Sequence, residues 1–186
     1  MYFKTIKILS FLVWILISAQ AFADAMQERR VTISASIFPR LVAVDLHLLN
    51  KLDESGNVRL GLIYQSDKGQ AKKVEKLITR KINKIAGKTL VFDYIDLNDL
   101  DLVKETNLSG IFLTQTMSSS EIRKVTQYSN LHNILSFSPF EGDVERGVMA
   151  SIFVGAKIRP YFNIKSLNAA EVKLKPSLLK VSKAYE

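Results

Sequence analysis

The stretch VRLGLIYQSDKGQAKKVEKLITRKINKIAGKTLVFDYI, residues 58–95, decides the fold because it contains two buried strands separated by a helix. Val58 to Tyr64 and Thr89 to Ile95 are short, mostly apolar runs. Such runs are typical of parallel strands that are covered on both faces. A strand, a helix and a strand of these lengths form a βαβ unit, whose crossover is right-handed in nearly all proteins. The segment therefore predicts an α/β fold with a mostly parallel sheet.

The helix inside this unit is predicted from Asp67 to Ala86. Asp67, with Gln70 three residues later, is a capping-box pattern, and Gly87 is typical of the residue that ends a helix. The apolar residues between them recur at helical spacing, so that they share one face: Val74, Leu77, Ile78, Ile82 and Ile85.

Alternating strands and helices continue toward the C-terminus. Gly110 to Thr114 is a short apolar strand, and Asn133 to Phe137 is another. Between them lies a helix from Ser118 to Asn130, whose start is indicated by a capping box of Ser118 and Glu121.

The last forty residues predict a hairpin followed by two helices. Two strands, Gly147 to Val154 and Lys157 to Lys165, meet across a glycine turn, and Pro160 places the second strand at an edge or a bulge. A short helix runs from Ser166, its N-cap, to Glu171. A last helix begins at Pro176 and reaches Ala184.

The segment before the βαβ unit is less clearly patterned. Residues 24–30 are polar and form a lead-in, and the alternating apolar residues from Val31 to Ile37 favour a strand. Helical spacing then favours a helix from Phe38 to Asn50, with Pro39 in its first turn. The whole chain after residue 23 is expected to form one three-layer, Rossmann-like α/β domain, residues 24–186, with a mostly parallel sheet, a C-terminal hairpin and C-terminal helices.

The first 23 residues indicate export. Lys4 and Lys7 precede an apolar run from Ile8 to Ile17, and Ala21-Phe22-Ala23 is a cleavage signal, so residues 1–23 are predicted to be a cleaved signal peptide. The run is shorter than the roughly 20 residues that span a bilayer as a helix. An uncleaved anchor is the alternative, and the expected location is the periplasm.

The net charge of the chain is basic, at +8. Loss of residues 1–23 removes two of the 26 basic residues and none of the 18 acidic ones, which leaves +6. Since an exported protein rarely meets nucleic acid, the charge favours an acidic partner, a glycan or an anionic lipid surface. The chain has no cysteine, so its stability must come from its core without disulfides.

No catalytic or metal-binding motif stands out, so neither an enzyme, a metal nor a cofactor is predicted. The chain has no G-x-S-x-G elbow and no pair of histidines at ligand spacing, and His47 and His132 are expected to be structural or surface residues. The acidic run from Asp93 to Asp101 lacks the glycine and the terminal glutamate of a calcium loop. It is interpreted as a solvated loop.

A small-ligand site is one hypothesis for the hydroxyl- and amide-rich loops at the carboxyl ends of the strands, where open α/β sheets bind ligands. Free N–H groups at a helix start would favour a small anion. The alternative is that these hydroxyls only cap the helix or meet water. The residues concerned are Ser66, Thr116, Ser118, Ser119 and Ser120.

A basic face on the predicted helix from Asp67 to Ala86 offers a second candidate surface. Long lysine side chains usually only solvate a helix. The alternative is a docking surface for an acidic partner or for anionic headgroups. The residues concerned are Lys72, Lys73, Lys76, Arg80 and Lys84.

The tail GVMASIFV followed by IRPYFNIKSLNAAEVKLKPSLLKVSKA resembles the end of the YfiR-like family of small periplasmic proteins. The family pattern is matched at Asn163, Ala169, Ala170, Leu174, Leu178 and Leu179. The match is specific over about the last forty residues, while the order of elements agrees over most of the chain. Phe38-Pro39-Arg40 only weakly matches the family's Trp-Pro, and the cysteine pairs of many members are missing, so redox sensing is not implied.

The resemblance implies a non-enzymatic periplasmic signalling accessory. Such proteins regulate a membrane-bound sensor, a diguanylate cyclase or a histidine kinase, through its periplasmic domain, which connects them to cyclic-di-GMP signalling. The alternative function is a small-ligand (solute) binding protein of the periplasm, although the chain is too short for two lobes. A hydrolase would need a nucleophile and a base that cannot be assembled here. A homodimer and a small anionic ligand stay open.

Overall fold

A computed structural model describes residues 24–103 and 107–186, and in this part of the chain an eight-stranded sheet forms the centre of the fold. The predicted signal peptide, residues 1–23, lies outside the described residues. The strand order is β2-β3-β1-β4-β5-β6-β7-β8. The strands are β1 Val58–Tyr64, β2 Lys84–Ile85, β3 Lys88–Asp96, β4 Gly110–Leu113, β5 Leu135–Phe137, β6 Ala150–Val154, β7 Ile158–Asn163 and β8 Lys183–Tyr185.

The sheet is mostly parallel. The five strands β3, β1, β4, β5 and β6 run side by side in one direction, while β2 pairs with β3 and β7 with β6 in antiparallel fashion. The last strand, β8, pairs in parallel with β7. This architecture confirms the predicted α/β class, the βαβ unit and the C-terminal hairpin.

Helices cover both faces of the sheet. They are α1 at residues 24–42, α2 Lys68–Thr79, α3 Ser119–Leu131, α4 Ile164–Ala169 and α5 Pro176–Leu179, with 3-10 helices at Leu48–Lys51 and Leu97–Leu102. Within the described ranges, no helix has the length and apolar character needed to cross a membrane.

Successive residues of the central strands point to opposite faces of the sheet and so belong to two separate cores. On one face, α1 and α2 pack on the sheet around three fully buried rings, Phe38, Phe112 and Phe137, whose centroids are 5.4 to 5.6 Å apart. On the other face, α3 packs on Ile111 and Leu113, the neighbours of Phe112 along β4. Because β4 is apolar at every position, it is buried on both faces, as a central parallel strand requires.

The segment before β1 differs from its prediction. Residues 24–42 form the single helix α1, so the lead-in and the strand from Val31 to Ile37 were both wrong. The helix expected to run to Asn50 leaves α-helical geometry after residue 42. The apolar residues that alternate from Val31 onward are also compatible with helical spacing, and Ala35, Phe38 and Val42 share the buried face of α1.

Helix α2 is shorter than predicted. It ends at Thr79, and Lys84 and Ile85 form the hairpin strand β2 instead of a last helical turn. Ala86 and Gly87, with φ of 48° and 79°, turn the chain into β3, so that Gly87 serves a hairpin and not a helix end. At the helix start the Asp67 carboxylate accepts from the N–H of Gly69 at 2.7 Å, rather than forming a box with Gln70.

The C-terminal helices also differ. The N-cap of α4 is Asn163, whose side chain accepts from the backbone N–H of Ser166, so Ser166 is not the cap. Helix α5 has Pro176 at its start but only four residues, and Ala184 lies in β8. Pro160 itself lies at an edge, as expected, because β8 pairs only with Tyr161 to Asn163 of β7 and leaves the outer side of Pro160 unpaired.

Candidate functional site at the carboxyl end of the sheet

A crevice opens where β1 and β4 end. Strand β1 lies between β3 and β4 in the sheet. From β1 the chain crosses to β3 on one side of β1, and it later returns to β4 on the other side of β1. The helices that follow β1 and β4 therefore lie on opposite faces. In open α/β sheets, ligands bind at this reversal, outside the carboxyl ends of the strands.

The turn after β1 is closed by the side chain of Gln115, which follows β4. Its Oε1 atom accepts from the backbone N–H groups of Gln65, Ser66 and Asp67, at 2.9, 3.2 and 3.3 Å. Its Nε2 atom donates to the Ser66 hydroxyl at 3.1 Å. Converging N–H groups at the first βα turn are the place where related folds hold a phosphate. Here a neutral amide oxygen occupies that place.

The start of α3 is also satisfied by its own side chains. The Ser118 hydroxyl accepts from the Glu121 N–H at 3.4 Å, and the Glu121 carboxylate accepts from the Ser118 N–H at 2.7 Å, which is the capping box expected from the sequence. The hydroxyls of Ser118 and Ser120 lie 3.0 Å apart. Ser119 is exposed in the first turn. Their role in binding a ligand stays a prediction.

A cavity of about 310 Å³ lies beside this turn, between α1, α2 and the loop after β4. Its polar wall includes Thr116, the one predicted ligand residue that faces it, together with Gln115 and Gln70. Val31, Leu77 and Phe140 supply the apolar part. The cavity thus combines amide, hydroxyl and apolar groups, a mixture typical of small-molecule sites.

An ion pair crosses the mouth of this cavity. Lys73 Nζ of α2 lies 2.6 Å from Glu28 Oε1 of α1. The hydrogen bond from Lys73 and its charge lower the pKa of the Glu28 carboxyl below the ordinary value. With Asp24 also in the lining, the charged groups of the cavity do not favour an anion.

The loop that carries Thr116 is held by a buried acid, Asp143, through Arg146. Asp143 is fully buried, accepts from the Ser138 hydroxyl at 2.5 Å and forms an ion pair with Arg146, which donates to the Met117 carbonyl at 2.9 Å. Burial raises the pKa of Asp143, against the effect of its hydrogen bonds. These contacts make Asp143 a positioning residue for the loop.

The five basic residues predicted as a docking surface do not all lie on one helix. Lys72, Lys76 and Arg80 are exposed at α2 and its C-cap, and Lys73 is held by Glu28. Lys84 lies on β2, because α2 ends before it, so its place on the helical face was wrong. The face defined by Lys72, Lys76 and Arg80 is called the basic face below.

The acidic run from Asp93 to Asp101 is not the solvated loop expected from the sequence, because it covers the end of β3 and the 3-10 helix Leu97–Leu102. Asp93 pairs with Arg59 at 3.2 Å, and Asp96 caps the following 3-10 helix through the N–H of Asn98. Across residues 24–103 and 107–186, no three histidine, aspartate or glutamate side chains lie together as a metal site would need.

Gln115 is the residue of this site that sequence reasoning missed. Its loop was singled out for hydroxyls and amides, but nothing in the local pattern shows that this amide bonds to a turn 48 to 50 residues earlier. The only available signal was the predicted adjacency of the two strand ends.

Residues 52–183 match the model of the protein family described as YfiR/HmsC-like. No curated protein sequence matches the chain. Among solved structures, the ligand-free, open form of CD0873, a substrate binding protein with adhesive properties from Clostridium difficile, is 15% identical with a TM-score of 0.53, covering 76% of this chain and 58% of that one.

Two further solved structures are similar to the chain. A conserved domain protein from Vibrio cholerae is 16% identical, with a TM-score of 0.49, and covers 74% of this chain and 58% of that one. The ABC domain in complex with L-Trp from Streptococcus pneumonia is 12% identical, with a TM-score of 0.48, and covers 77% of this chain and 61% of that one. The chain thus spans about three fifths of the length of the solved structures it matches. At these identities the likeness concerns the fold alone.

Proposed function

Because the chain belongs to the YfiR/HmsC-like family, a regulatory and periplasmic family, we propose that it is a signalling accessory that regulates a membrane-bound sensor by docking on the sensor's periplasmic domain. The family match over residues 52–183 is the observation that carries this proposal. The regulated sensor is a diguanylate cyclase or a histidine kinase.

The crevice between β1 and β4 gives no support to a catalytic role, because its polar groups are engaged within the chain. Its converging N–H groups are already satisfied by Gln115, and the hydroxyl of Ser118 is engaged at the start of α3. Nucleophilic catalysis would need a hydroxyl or thiol beside a base. The hydroxyl of Thr114, next to the crevice, instead donates to the Ile63 carbonyl at 2.8 Å.

The basic face is the surface that we propose for docking. Lys72, Lys76 and Arg80 are exposed within one helix and its cap, so an acidic surface of the partner could approach all three. Exposed charges of this kind act mainly on the rate and specificity of association. Binding should therefore weaken as salt increases, since the Debye length falls from about 10 Å at 0.1 M to about 3 Å at 1 M.

Co-purification tests the proposal. The chain would be purified together with the periplasmic domain of the membrane sensor encoded beside it. A stable complex is expected, and a variant with Lys72→Glu, Lys76→Glu and Arg80→Glu should bind about tenfold more weakly or worse. Lys84→Glu, which lies off the helix, is the matched control. Absence of a complex with the unchanged chain would contradict the proposal.

A second candidate function is small-ligand binding in the periplasm, and the 310 Å³ cavity beside Thr116 favours it. The similar fold of CD0873, a substrate binding protein, agrees with this candidate. Thermal-shift screening with small polar metabolites would test it, because a ligand that binds only the folded state raises the melting temperature. A gain that disappears in Thr116→Val would support this function, and no gain with any compound would contradict it.

A further inference from the structure

The C-terminal strand β8 is shallowly attached to the rest of the molecule. It pairs through only three residues, Lys183 to Tyr185, with Tyr161 to Asn163 of β7. Residues 175–186, which include α5 and β8, contain no buried residue. Local segments with few buried contacts open at low free-energy cost, so β8 is suited to leave the β7 edge reversibly.

One side chain of β8 makes a specific contact. Lys183 Nζ lies 3.9 Å from the centroid of Phe153 and 4.9 Å from that of Tyr161. The two rings meet edge to face, with centroids 6.2 Å apart. A cation over aromatic faces is attracted by their electron density. Within the described residues, Lys183 has no carboxylate oxygen within 4 Å, so the rings are its main partners.

Further groups around the two rings suit a cation. Tyr161 donates its hydroxyl proton to Glu145 at 2.8 Å, which keeps that carboxylate beside the rings. The Ser151 hydroxyl, on the residue paired with Tyr161, is buried and has no hydrogen-bond partner in the described part of the chain. Both line a cavity of about 140 Å³ next to Lys183.

The charge of this cavity depends on β8. Its charged lining residues are Arg30, Glu141, Glu145 and Lys183, which balance one another. If Lys183 leaves, the carboxylates of Glu141 and Glu145 remain in the lining with Arg30, while Arg159, whose guanidinium carbon lies 5.9 Å from the Phe153 centroid, stays near that ring. The vacated place would then attract another lysine or arginine.

From this geometry we propose that Phe153, Tyr161 and Glu145 form a recognition site for a basic side chain, and that Lys183 of β8 is its internal, displaceable occupant. The external occupant is an extended segment of a partner protein that pairs with the β7 edge and places lysine or arginine opposite Tyr161. Addition of a strand to an exposed sheet edge is a known mode of peptide recognition. The proposal deepens the proposed function, since the docked sensor would supply the segment.

A peptide of this chain's own sequence, KVSKAYE (residues 180–186), is the probe. Its fluorescence anisotropy would be measured with the purified full chain and with its Lys183→Glu variant. Because the internal occupant competes with the peptide, weakening it raises the apparent affinity. The Lys183→Glu chain should bind the peptide about tenfold more tightly than the unchanged chain, while Lys180→Glu, a matched change in the same exposed segment, should not.

Two further variants test the chemistry of the site. In the Lys183→Glu chain, Phe153→Leu keeps an apolar side chain but removes the aromatic face, and should return binding to the level of the unchanged chain. The peptide KVSEAYE should not bind. Equal binding by the unchanged and Lys183→Glu chains, or binding indifferent to Phe153→Leu, would overturn the proposal. If the peptide binds as expected but no sensor co-purifies with the chain, the proposed function is contradicted while this recognition site is supported.

Discussion

The side-chain oxygen of Gln115 lies 2.9 Å from the backbone nitrogen of Gln65, so the second residue after β4 completes the turn after β1. The same oxygen accepts from the next two N–H groups of that turn. An amide of the protein thereby stands where comparable folds hold a ligand anion. The three N–H groups of this turn are therefore satisfied within the chain.

Removal of the Gln115 side chain should destabilise the chain and open an anion site. Gln115→Ala leaves three N–H groups to water, with an expected loss of about 1 kcal/mol in the free energy of unfolding. Sulfate should then raise the melting temperature of the variant more than that of the unchanged chain. Gln115→Glu, whose carboxylate can accept the same three bonds, is the control and should not respond to sulfate. An equal sulfate response in all three chains would contradict the assignment.

The contact between α1 and the start of β4 should tolerate no added methyl group. A Cβ atom at Gly110 would lie 2.8 Å from Val42 Cγ2 and 3.1 Å from Phe38 Cζ. Gly110→Ala should therefore cost about 1–3 kcal/mol in urea unfolding. Val42→Ala also destabilises by itself, but the double variant should lose less than the sum, since it makes room for the methyl group. Strict additivity would show that α1 does not press on β4.

Alkaline unfolding should depend on Tyr94. Its hydroxyl donates to the Glu75 carboxylate, and this hydrogen bond, with burial and the negative charge, raises the pKa of Tyr94 from 10.0 to about 12. The folded state therefore holds the phenolic proton more tightly than the unfolded chain. The resulting stability is complete below about pH 10 and is lost as the pH rises toward 12.

The measurement is the free energy of unfolding from pH 8 to 12 in the unchanged chain and in Tyr94→Phe. The unchanged chain should lose more stability over this interval than Tyr94→Phe, whereas Tyr64→Phe, a control on the neighbouring strand, should keep the full loss. Identical pH profiles of the unchanged and Tyr94→Phe chains would argue against the Tyr94–Glu75 bond.

The elements predictable from the sequence are those specified by short-range signals. Strand β1 was predicted with the bounds that it has, because a short apolar run between turn residues is typical of a parallel strand buried on both faces. The start of α3 was predicted because Ser118 and Glu121 cap the helix within four residues.

The other boundaries depend on contacts between distant segments. Residues 24–42 are helical because Phe38 and Val42 pack against β4, about 70 residues away, a contact that no local pattern shows. Ile82 and Ile85 continue the helical spacing of α2, yet Lys84 and Ile85 find a hairpin partner in β3. Gln115 was not singled out for the same reason, since it acquires its partners only when β1 and β4 pair.

The most direct test of the account measures the activity of the sensor itself. Membranes that contain the full-length sensor encoded beside this chain would be assayed for cyclic-di-GMP synthesis or for autophosphorylation, with and without the purified chain on the periplasmic side. The chain is expected to change the sensor's activity in a saturable manner, and Lys72→Glu, Lys76→Glu and Arg80→Glu together should shift the response to higher concentration. A sensor activity that stays the same at saturating concentrations of a correctly folded chain would contradict the account.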